Sequence, residues 1–251
     1  MVSILGQPGA GKTRFTANII YNCLKEGNNI LWYPLEGNDM QAFCLIVARH
    51  VVEKYGIISN LDDKSIYENS YEDNLSEIVD TAILDILRNE SFGRLQIRNI
   101  PLYDDEIFLE LDAIWEDGFH FDGVCIDYVS LIMNKKNEIA NMYLSRLLKK
   151  LKTTCMSFKN EGFLLLTPHQ LTKEAIVSLL KGEDTTIVGA SDTTEVIKSS
   201  DIVFSLVRTE EQKLRDMISV FFTKTRFAKS AMPLEVVALH GSCYFADKPE
   251  D

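Results

Sequence analysis

Apolar positions along the chain switch between two periods, and the switches mark its elements. Val2-Ser3-Ile4-Leu5 is a short run of the kind buried strands show, and it leads straight into a glycine-rich turn. Beyond that turn Phe15, Ile19, Ile20, Cys23 and Leu24 recur at helical spacing, and Gly27 supplies a stop. "NILWYPLE" predicts a second strand and "MQAFCLIVARHVVEKY" a second helix. Ile57 to Asn74 carries many acids and asparagines with no clean period and reads as a surface excursion. Helical spacing resumes in "LSEIVDTAILDIL", "RLQIRNI" looks like a strand, "DDEIFLELDAIWEDG" a helix, and "FDGVCIDYVSLI" a strand with an acid at its end. A long helix is expected over about Ala140 to Asn160, followed by the strand "GFLLLT".

From Leu171 to Asp192 the pattern loosens, as a mobile loop would, and the remaining apolar runs ("DIVFSLV", "MISVFFTKTR", "LEVVALH", "SCYFAD") are strand-rich and hairpin-like. Strands alternating with helices first, then adjacent strands, predict an α/β fold: a mostly parallel sheet flanked by helices, with antiparallel C-terminal strands. No internal repeat or linker interrupts the pattern, so one domain is expected over residues 1–251.

Composition narrows the class only a little. A chain with 46% hydrophobic and 25% charged residues is an ordinary globular one. The net charge of −11 argues against a basic coat for wrapping nucleic acid, though not against a local basic loop. Five cysteines at wide spacings, without a C-x-x-C pair, suit reduced and mostly buried thiols, and four scattered histidines suggest no metal held by protein ligands alone. No apolar run approaches a membrane span and no signal peptide is visible, so no membrane partner and a cytoplasmic location are expected.

Chemistry concentrates at the first turn. Gly6, Gln7, Pro8, Gly9, Ala10, Gly11, Lys12 and Thr13 satisfy G-x-x-x-x-G-K-[ST] between a strand and a helix, the context in which this pattern cradles phosphates; Arg14 follows directly and is counted with the nucleotide site. Gly6 and Gly11 allow backbone angles that turn successive N–H groups toward a phosphate, Lys12 would reach the β- and γ-phosphates, and Thr13 would place its hydroxyl on Mg²⁺. The helix N-terminus adds partial positive charge at the same spot. The bland alternative is a tight turn with a chance lysine.

A magnesium site needs a second acid at the end of a neighbouring apolar strand, and Asp127 after Val124-Cys125-Ile126 supplies it. Tyr128 comes next, not an acid, so the base for hydrolysis must come from elsewhere. Glu36, ending the second strand, lies on the same edge of a parallel sheet and could orient the attacking water.

The set "GQPGAGKT", "LWYPLEG", "FDGVCIDYVSLI", "LLLTPHQLTKEA", "ASDTTEVIKSSDIVFSLVR" and "FFTKTRFAKSAMP", in this order, resembles the RecA-like ATPase domain of DnaB-type replicative helicases, in a divergent, phage-like form, from Val2 to about Pro233. The resemblance implies ATP and Mg²⁺ as ligands, single-stranded DNA as partner, a homo-oligomeric ring with a hexamer as the expected form, and replication proteins such as primase nearby. It makes Glu36 the catalytic glutamate, Asp127 the metal-side acid, and Gln170 the γ-phosphate sensor linked to DNA loops. It makes Lys224 and Arg226 a K-x-R pair reaching a neighbouring subunit's ATP. A lysine and an arginine two apart on a strand do share one face; their alternative role is to keep an exposed edge soluble.

His169 could compete with Gln170, although a histidine there is more often structural. Lys135, Lys136, Lys173 and Lys181 are candidates for holding DNA phosphates, or plain solvated surface. The family's N-terminal domain and linker helix are expected to be absent from the chain, "FAKSAM" replaces its usual glycine-rich continuation, and the charge is acidic for a DNA motor. Two other readings therefore stay open: a RecA- or clock-type ATPase without unwinding activity, and a nucleotide-dependent interaction module. A small-molecule kinase fits less well, because no arginine-rich lid segment is found.

Overall fold

The computed structural model describes residues 1–58, 60–134, 139–181, 191–226 and 233–247. The first half of the chain runs β1 (Val2–Gly6), α1 (Lys12–Lys25), β2 (Ile30–Pro34), α2 (Asp39–Tyr55), α3 (Asp63–Glu68), α4 (Ser76–Arg88), β3 (Leu95–Ile97), α5 (Glu106–Glu116) and β4 (Gly123–Asp127). The second half runs α6 (Ala140–Ser157), β5 (Leu164–Gln170), α7 (Lys173–Leu180), α8 (Ser191–Ser199), β6 (Ile202–Val207), α9 (Glu210–Leu214), β7 (Met217–Thr225), β8 (Leu234–Leu239) and β9 (Tyr244–Asp247). Among the described residues the strands form one sheet in the order β3-β2-β4-β5-β1-β6-β7-β8-β9. Pairing is parallel from β3 through β6 and antiparallel from β6 to β9, as the sequence pattern predicts.

Burial on both faces explains why the central strands are almost wholly apolar. On β2, Leu31 and Tyr33 pack with Ile107 and Leu111 of α5 and Leu144 and Leu148 of α6, while Ile30 and Trp32 face Ile20 of α1, Ile46 of α2 and Ala82 of α4. β4 alternates likewise, Val124 and Ile126 on the first face and Cys125 on the second. The result is a helix–sheet–helix sandwich. No helix of the described residues is long and apolar enough to cross a membrane.

Strand register sets the functional edge. Gly6 at the end of β1 pairs with Gln170 on β5 and Leu206 on β6, and Asp127 at the end of β4 pairs with Pro34 on β2. Parallel strands thus bring Gly6, Asp127, Gln170 and the turn after Pro34 to one rim, where open α/β sheets bind their ligands.

Three segments differ from the sequence reading. The excursion after Ile57 contains α3, which has no buried residue of its own and is held by a polar cap: Asp62 accepts from the Ser65 amide at 2.7 Å and Ser65 Oγ accepts from the Asp62 amide at 2.9 Å. The loosened stretch after Leu171 begins with α7, capped by Thr172 and burying Ala175, Ser178 and Leu179, while residues 182–190 lie outside the described ones. The strand over "FDGVCIDYVSLI" stops at Asp127, and Val129–Leu131 form a single 3-10 turn instead.

Candidate nucleotide site

The loop between β1 and α1 closes on itself. The Ala10 amide donates to the Gln7 carbonyl at 3.1 Å, the Gln7 side chain donates to the Arg208 carbonyl at 2.7 Å, and Gly11 precedes the helix with φ 88°, a left-handed conformation that L side chains resist. Gly6 is needed for space and not for an unusual angle. A Cβ there would lie 2.8 Å from Lys12 Cγ and 3.3 Å from the Leu206 backbone oxygen. Gly6→Ala therefore drives the Lys12 stem out of its place. Overpacking of this kind costs roughly 1–3 kcal/mol, so nucleotide affinity is expected to fall roughly ten- to a hundredfold. Titration with a fluorescent ATP analogue, alongside an unchanged circular-dichroism spectrum, checks it.

Lys12 Nζ rests on the Gln7 carbonyl at 3.3 Å, so the ammonium folds back onto its own loop. Burial lowers its pKa, and the carboxylates of Glu36 and Asp127 oppose that shift. Asp127, only 3% exposed, accepts a hydrogen bond from the Thr13 hydroxyl. Its burial, reinforced by the negative charge of Glu36, pushes its carboxyl up to about 6, against the pull of Thr13 and Lys12. Glu36 lies on an exposed turn two residues past β2, and its amide donates to the Asp127 carbonyl at 3.1 Å, which ties the two acidic turns together. Thr13, Asp127 and Glu36 all line a cavity of about 440 Å³ that opens between the starts of α1 and α2 and the face of α3.

A buried carboxylate hydrogen-bonded to a hydroxyl, beside a second acid, is a donor set that a hard divalent cation fits. The raised proton affinity of Asp127 reflects the cost of burying that charge.

The remaining predicted residues fall into two groups. Gln170 is exposed at the end of β5 on the same rim, opposite Gly6. His169 is buried, shares a hydrogen bond with Thr167 Oγ1 at 3.1 Å, and is pushed down to about 3 by burial and the nearby Lys12 charge, so it stays neutral and structural. Lys224 and Arg226 lie elsewhere and are engaged within their own chain. Lys224 Nζ donates to the carbonyls of Ile197 (2.6 Å) and Lys198 (3.0 Å) at the end of α8, and Arg226 Nη1 pairs with Asp201 at 3.2 Å while remaining 48% exposed.

Arg14 does not point a free guanidinium at the phosphate loop: it grips Asp63 of α3. That partner carries no motif, and sequence reasoning missed it. Lys173 opens α7 and Lys181 caps it, whereas Lys135 and Lys136 lie outside the described residues.

Fold and rim together define a RecA-like nucleotide-binding architecture. A solved ATPase domain, that of a phage DnaB-like helicase, has this fold with a TM-score of 0.74 and 16% identity, over 99% of this chain and 84% of that one. A DnaB-like replicative helicase, solved to examine its interactions with primase, shares it with a TM-score of 0.75 and 16% identity, over 99% of this chain and 57% of that one. This chain therefore spans little more than half the length of the second protein. No protein-family model and no curated protein matches the sequence.

Proposed function

We propose that the chain is the ATP-hydrolysing motor domain of a replicative-type DNA helicase, working in the cytoplasm on single-stranded DNA as a homo-oligomeric ring, with a hexamer the expected form. The convergence of the Gly6–Thr13 loop, Asp127 and Glu36 on one rim of a sheet shared with two helicase ATPase folds carries the reading. The step to function rests on that site, since a fold alone hosts many activities.

In this reading the loop amides and the α1 N-terminus hold the triphosphate, Lys12 leaves the Gln7 carbonyl for the β- and γ-phosphates, and Thr13 and Asp127 hold magnesium. The metal, when bound, neutralises charge on the phosphate oxygens. Glu36 orients a water in the adjoining cavity and takes its proton as the water oxygen attacks the γ-phosphorus and ADP leaves. Gln170, on the strand beside β1, is placed to register the γ-phosphate. Lys224 and Arg226 serve a neighbouring copy's ATP, which requires Arg226 to exchange Asp201 for a phosphate. Primase is the replication partner suggested by the second structural relative.

Mixing separates this from the alternatives. Arg226→Ala and Lys12→Ala proteins are each expected to lose DNA-stimulated ATP turnover, and an equimolar mixture to regain part of it at interfaces pairing an intact loop with an intact arginine. Turnover indifferent to DNA, or a mixture as inactive as its parts, counts against the ring. Hydrolysis without unwinding of a forked duplex would favour the RecA- or clock-type reading.

A further inference from the structure

The proposed chemistry leaves Arg14 and α3 without a role, yet the two are joined beside the site. Arg14 directly follows the metal-side Thr13, and its Nη2 donates to both carboxylate oxygens of Asp63 at 3.0 Å, with Nε 3.4 Å from Oδ1. Asp63 is only 14% exposed, so this is a forked ion pair largely withdrawn from water, not a loose surface contact.

The other side of α3 faces the Glu36 turn. Lys64, Tyr67 and Glu68 line the same cavity as Glu36, Gly37 and Asn38. The Asn38 side-chain amide also makes a long 3.4 Å hydrogen bond to the Tyr67 hydroxyl, while its oxygen caps α2 through the Gln41 amide at 2.8 Å. Behind α3, Leu61 is buried in the helical core, and a Cβ on Gly241 would come within 2.7 Å of Asp62 Cβ, so there is no room to retreat on that side.

We infer that α3 is a strut that fixes the spacing between the P-loop helix and the Glu36 turn, with Arg14 and Asp63 as positioning residues for hydrolysis and not as nucleotide ligands. The inference rests on the hydrolytic reading of the site. If the Arg14–Asp63 joint opens, α3 is released, the cavity widens, and the water held for Glu36 loses its alignment with the γ-phosphate. Misplacement on the scale of 1 Å can cost roughly a hundredfold in rate. Loss of a supporting strut, with the ligands themselves intact, is expected to cost roughly tenfold.

The experiment pairs kinetics with a nucleotide-free readout. Arg14→Ala and Asp63→Ala should each lower kcat roughly tenfold while leaving the Kd for a fluorescent ATP analogue within about twofold, and the double variant should be no worse than either single one. Arg14→Lys, which keeps the charge but not the fork, should recover part of the rate and serves if the alanine variants fold poorly. The chain has two tryptophans, and Trp32 lines the cavity, so a Trp115→Phe background reports on it alone. Acrylamide quenching of Trp32 should rise when the joint is cut.

A weakened Kd with kcat preserved would make Arg14 a nucleotide ligand and overturn the strut. So would additive losses, or quenching that does not change. Wild-type protein that never hydrolyses ATP overturns the hydrolytic reading instead, and the quenching result still decides whether α3 closes the cavity.

Discussion

Glu36→Gln is expected to reduce ATP turnover roughly a hundred- to ten-thousandfold, the span that general acid–base catalysis contributes, while Mg²⁺–nucleotide affinity stays near that of the wild type. The amide keeps the shape and one acceptor oxygen of the glutamate but cannot take a proton from water. Nothing in the fold depends on the carboxylate: the side chain is exposed, and the turn is held by the Glu36 amide on the Asp127 carbonyl, which the substitution preserves.

A second consequence is specific to this pairing. The negative charge of Glu36 is one of the causes that push the Asp127 carboxyl upward, so its removal should shift the acidic limb of nucleotide binding to lower pH. Stopped-flow turnover and a binding titration at several pH values test both halves. Turnover within tenfold of the wild type would remove Glu36 from the role of base, and an unmoved acidic limb would mean the two carboxylates do not sense each other.

How much of this was legible in the sequence differs from element to element. The strands and the helices that bury a stripe were readable because burial writes a period: Leu31 and Tyr33 against Ile30 and Trp32 on β2, or Ala17, Ile20 and Leu24 on α1. The phosphate loop was readable because its glycines and lysine answer local demands of space and charge. α3 was not, since it buries no residue of its own and so leaves no hydrophobic period. Its one local sign was the reciprocal Asp62 and Ser65 cap. α7 carried a comparable sign in Thr172, whose hydroxyl accepts from the Ala175 amide at 3.3 Å.

The Arg14–Asp63 joint spans 49 residues and joins two ordinary charged residues, so no local pattern could reveal it. The K-x-R pair shows the opposite limit. A resemblance suggested its role in another copy, while the chain by itself shows Lys224 capping α8 and Arg226 on Asp201, contacts that sequence spacing could not supply.

Asp127→Asn is expected to pull stability and activity in opposite directions. Burial raises the Asp127 carboxyl from 3.8 to about 6, so the folded protein prefers the protonated form. Its contribution to stability is therefore fully present below about pH 4 and is lost as pH rises through about 6. A shift of about two units corresponds to roughly 3 kcal/mol. Since the asparagine also leaves Lys12 and the Thr13 hydroxyl with a weaker partner, the nucleotide-free variant should gain roughly 1–3 kcal/mol at pH 8. In a domain of this size that raises Tm by roughly 2–10 °C.

At pH 4 the gain should vanish, because the wild-type carboxyl is then protonated as well. Saturating Mg²⁺–ATP should reverse the order at pH 8. The wild type is stabilised by binding, by about 2.7 kcal/mol at a hundredfold excess over Kd, whereas the variant lacks the carboxylate that holds the metal and should turn over ATP at background rates. Thermal melts at the two pH values, with and without Mg²⁺–nucleotide, read all four conditions. A nucleotide-free variant less stable than wild type at pH 8 would mean that Lys12 and Thr13 more than offset the burial of the charge, and that this rim is built around a carboxylate that does not wait for a cation.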